Sequence, residues 1–113
     1  MNDEITALSE EWDSHKTLPF PDAPGKGSQF NDLFPQLVEF DGSVAGMVSA
    51  ALTGKAVDKN DISRALAVLN DFFLKLNAII PLDRTTDKYR SSINDRLESL
   101  HRLVEGLLRV AYS

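Results

Sequence analysis

The chain has 113 residues and a formal net charge of −5, with 42% apolar and 26% charged residues. That suits one globular domain large enough to bury a core without staples. It contains no cysteine, which excludes disulfides and thiolate metal sites and fits a reducing, cytoplasmic setting.

The N-terminal stretch MNDEITALSEEWD is acidic and lacks the basic and apolar regions of a signal peptide. Residues 3–15 predict a short amphipathic helix, with Ile5, Leu8 and Trp12 on one side and Asn2 as its cap. Residues 17–29, TLPFPDAPGKGSQ, follow. Three prolines there forbid a helix and favour extended backbone, so the segment reads as a proline-rich strap anchored by Leu18 and Phe20. Its GKGS stretch at residues 25–28 lacks the spacing of a phosphate loop.

A second helix is predicted over 32–53, ending at Gly54. Gly42, Ala45, Gly46, Ser49, Ala50 and Thr53 give it a flank of small residues. Each interior glycine costs about 1 kcal/mol of helix propensity relative to alanine. Two of them one turn apart therefore suggest that something approaches the backbone closely. A neighbouring helix or Trp12 of the same chain is the plainest occupant, with a second copy or a small ligand as alternatives.

A third helix is predicted over 61–80, capped by Asp58 or Asn60 and ended by Pro81, and a fourth over 84–111. Ile62, Leu66, Leu69, Phe73, Leu76 and Ile80 are spaced 4, 3, 4, 3, 4, and Ile93, Leu97, Leu100, Val104, Leu107 and Ala111 repeat that spacing. These are heptad seams. Ala65, Phe72 and Ile79 widen the first, and Tyr89, Leu103 and Val110 the second. The short connection at residues 81–83 makes the two helices antiparallel. Nothing alternates with a strand's period. The sequence thus predicts an all-α fold: an antiparallel helical bundle of three long helices with a short N-terminal helix and a proline-rich strap.

Charge is uneven along this chain. Residues 1–41 carry nine acidic residues against Lys16 and Lys26, a balance of −7, and residues 55–113 carry ten basic against eight acidic, a balance of +2. An acidic N-terminal third repels phosphate backbones and argues against nucleic acid as a partner. The absence of a long apolar run argues against a membrane.

The chemical motifs are few. Glu98 and His101 form Glu-x-x-His, the unit of carboxylate-bridged metal sites in bundles, but such a site needs a second copy and inward-facing carboxylates. The other histidine, His15, has no glutamate three residues before it, and Glu98 falls on the solvent side of the seam. His101 and Leu103 also match two positions of the His-x-Leu-Lys-Gly pattern of histidine phosphotransfer domains. Val104 stands where that pattern has lysine and Glu105 where it has glycine, a substitution that opposes a phosphorylated imidazole. His101 therefore reads as a border residue with an ordinary surface hydrogen bond. No local Ser–His–acid set appears.

The sequence assigns no catalytic residue, no metal site and no cofactor. It leads to a small, cytoplasmic, non-enzymatic interaction module that pairs with a protein partner or with itself as a homodimer. Its candidate contact residues are Trp12, Phe20, Gly42, Gly46, Ser49 and Ala50. The alternative is a small-molecule-binding or enzymatic bundle with a pocket between the Gly42/Gly46 flank and the strap, walled by Trp12 and Phe20.

Overall fold

A computed structural model describes residues 3–113. Four helices make up the fold: α1 (Asp3–Thr17), α2 (Leu33–Leu52), α3 (Lys59–Ala78) and α4 (Arg84–Ala111). No strand occurs among the described residues. The expected cap at Asn2 lies outside them.

The helix ends follow local chemistry. Asp58 caps α3 by accepting from the Asn60 N–H at 2.8 Å. Asp83 and Thr86 form a reciprocal capping box at the start of α4. At the end of α2, Gly54 takes a φ of +89°. The N–H groups of Gly54 and Lys55 then reach back to the carbonyls of Ala51 and Ala50, which closes a Schellman motif.

α4 is the axis of the bundle. Its 28 residues span about 42 Å, close to the molecule's 48 Å long dimension. It packs against each of the other three helices, whereas α1 and α3 do not meet. Pairing of Leu8 with Gly106, Glu11 with Arg102 and His15 with Ser99 shows α1 running antiparallel to α4. The seam between α2 and α3 is the thinnest. Its firmest point is the tilted ring pair Phe40–Phe72, with centroids 5.5 Å apart.

The core takes Ile93, Leu97, Leu100, Val104 and Leu107 from α4, all fully buried, as the spacing predicts. From α3 it takes Ile62, Ala65, Leu69, Phe72 and Leu76. The α3 seam is thus rotated from the predicted one: Leu66 and Phe73 are only half-buried, and Ile80 is 78% exposed. α3 ends at Ala78, so Ile80 no longer follows the helical period.

Candidate functional site

A second buried line runs along α4 through Arg96, Ser99, Leu103 and Gly106 and faces α1. Here a polar cluster joins residues far apart in the chain. His15 lies at the end of α1 and is 3% exposed. Its Nδ1 is 2.7 Å from the Ser99 hydroxyl, and its Nε2 is 2.9 Å from Asp41 Oδ1. Asp41, on α2, also takes a two-pronged contact from Arg96, with Nε at 3.2 Å and a terminal nitrogen at 2.9 Å. The remaining terminal nitrogen of Arg96 donates to the Leu18 carbonyl at 3.0 Å. One cluster therefore ties α1, α2, α4 and the first residue of the connecting segment together.

Aromatic rings seal it. Trp12 stacks on His15 at 5.8 Å, and Arg96 lies 4.7 Å from the Phe20 ring centroid. Burial pushes the Asp41 carboxyl up, but the hydrogen bonds from His15 and Arg96 and the guanidinium charge outweigh it. Asp41 therefore titrates below the usual aspartate value.

The Ser99–His15–Asp41 connectivity is that of a hydrolytic relay, a set the local sequence does not suggest. Its chemistry is closed off. Ser99 is 5% exposed, and Asp41 is already neutralised by Arg96. No buried side-chain nitrogen or oxygen among the described residues lacks a partner. With its proton on Nε2, His15 donates to Asp41 and accepts from Ser99, which satisfies the imidazole without a further charge. The cluster acts as a clamp.

The candidate contact residues fall into two groups. Trp12 lies against His15 and Phe20 against Arg96, on two members of the clamp. Gly42, Gly46 and Ser49 are exposed, and Ala50 is half-buried. Nothing lies within 4 Å of a Cβ placed at Gly42 or Gly46, so the predicted close approach within the chain is absent at both. It occurs instead at Gly106, where an added Cβ would stand 3.0 Å from Leu8 Cδ1. A cavity opens between residues 22–30 and the start of α4, and neither Gly42 nor Gly46 lines it.

The His101 side chain is 43% exposed and pairs with Glu105 at 3.1 Å. Glu98 instead accepts from the Asn94 amide. No group of three or more potential metal ligands occurs among the described residues, and no helix there is long and apolar enough to cross a membrane. Compared with protein-family models, curated proteins and solved structures, the chain matches none.

Proposed function

We propose that the protein is a non-enzymatic interaction module whose contact surface is the outer face of α2, with a second copy of the chain as its occupant. In this reading the three longer helices form the body. The shorter α1 and the proline-rich strap at 17–29 fasten its open side through the clamp.

The observation that carries the reading is the state of Gly42 and Gly46. Both lie inside a helix, both face open space, and each costs about 1 kcal/mol of helix propensity. No packing inside the chain offsets that cost, which supports an approach from outside. The surface around them supports this. Val38, Gly42, Gly46, Ser49 and Thr53 are exposed and uncharged, and Val38 is 47% exposed. Small side chains let a second helix come close, and the same patch on two copies can pair about a two-fold axis.

Gly46→Leu tests the reading. The monomer stays folded with unchanged or higher stability, and the dimer weakens or disappears. Sedimentation over a range of concentrations, run beside thermal melting, measures both. A variant that assembles as the wild type does would refute the proposed surface.

A further inference from the structure

A separate feature, independent of the α2 surface, lies at the other end of α2. Residues 22–30 curl against the first turns of α4 and leave a cavity of about 360 Å³, within the size range of small-molecule sites. Its apolar walls are Pro24, Phe30, Leu82 and Tyr89. Phe30 is 1% exposed and meets Tyr89 edge-on at 4.9 Å, so the two rings make a fixed corner. Leu82 stands at the rim with 78% of its surface in water. A large side chain left that bare beside a concave apolar wall gains from any flat apolar group that covers it.

Hydrogen bonds hold the walls in place before anything binds. The Tyr89 hydroxyl donates to the Asp22 carbonyl. The Gln29 amide reaches across to the Ile80 carbonyl at 2.9 Å. Within the turn, the Ser28 N–H bonds to the Gly25 carbonyl and the Phe30 N–H to the Ser28 hydroxyl. The cavity is thus preorganised, which lowers the entropic cost of filling it.

The polar groups give it a sense of charge. The Asp22 carboxylate makes one corner negative, and burial first, with that carboxylate second, pushes the Tyr89 phenol above its usual titration range and keeps it neutral. Lys26 also lines the cavity and has no carboxylate partner among the described residues. Thr85 lines the same cavity.

We infer that this cavity binds a small aromatic carboxylate, its ring held by Pro24, Phe30, Leu82 and Tyr89 and its carboxylate by Lys26 and Thr85. The ring placement uses the apolar corner, and the acid is drawn to Lys26 and repelled by Asp22.

Titrating isotope-labelled protein with 3-phenylpropionate, 3-phenylpropanol and 3-phenylpropylamine tests this by NMR. The acid gives saturable shifts confined to residues 22–30 and 82–89. The alcohol binds about threefold to fivefold more weakly, the scale of one exposed ion pair, and the amine more weakly still. Lys26→Gln brings the acid down to the level of the alcohol. Thr85→Trp, which fills the cavity from an exposed position, removes binding while the helical circular dichroism is unchanged. Shifts that fail to saturate, that spread over other faces, or that are as strong with the amine would each overturn the inference.

Discussion

Asp41→Asn removes the charge at the centre of the clamp and keeps its shape. The carboxylate accepts one hydrogen bond from His15 and two from Arg96. Asparagine offers one acceptor oxygen and turns an amide towards donors. Arg96, 7% exposed, is then left without its counter-charge. Breaking a buried ion pair from one side costs about 3–5 kcal/mol. The Asp41 side chain keeps 16% of its surface in water, which moves the estimate down to about 2–4 kcal/mol. For a chain of this length, each kcal/mol shifts the midpoint by about 4 °C, so the variant should melt about 8–16 °C lower. Urea unfolding followed by circular dichroism measures the free energy directly. The double variant Asp41→Leu with Arg96→Met removes both charges and should lose less than the sum of the single changes. A loss below about 0.5 kcal/mol in Asp41→Asn, the range of ordinary surface changes, would show that the cluster does not clamp the bundle.

Other consequences follow from the same geometry. Because the Asp41 carboxyl is held below its unfolded value, its stabilisation is complete above about pH 4 and is lost as pH falls through the folded value. Acid unfolding of the wild type should therefore steepen below pH 4, and Asp41→Asn should flatten that limb. Gly106→Leu drives a side chain into Leu8 and should cost about 1–3 kcal/mol in thermal or urea melts; an unchanged midpoint would contradict the close packing of α1 on α4. Leu69→Ala and Leu100→Ala should each cost about 2–5 kcal/mol by the cavity they leave. Leu74→Ala, at a 71% exposed position, should cost far less. His101→Gln should leave the melting temperature within a few degrees, since it loses only the exposed contact with Glu105.

The helices were legible because their punctuation is local. Asp58, Asp83 with Thr86, and Gly54 mark ends by chemistry that acts within a few residues. The core line of α4 was legible because Ile93, Leu97, Leu100, Val104 and Leu107 keep an unbroken spacing. In α3 the pattern was ambiguous. Leu66 and Phe73 compete with Ala65 and Phe72 on adjacent lines, and packing against α2 and α4 chose the second pair.

The clamp was not legible. Its members come from positions 15, 41, 96 and 99, and no local signal links residues 84 positions apart. Arg96 and Ser99 are invisible to a search for apolar periodicity. One signal existed: Ser99 and Gly106, small residues seven apart on α4, mark a line where another helix can come close. The same reasoning singles out Gly42 and Gly46 on α2, where no contact inside the chain exists. A glycine in a helix says that space is kept, and the sequence alone does not say for which neighbour.

The most direct test of the proposed function is the sedimentation of the wild-type protein across a wide concentration range, beside Gly46→Leu under the same conditions. The account predicts a reversible monomer–dimer equilibrium in the wild type and a folded monomer in the variant. A wild type that remains monomeric throughout, or a variant that dimerises equally well, would contradict it.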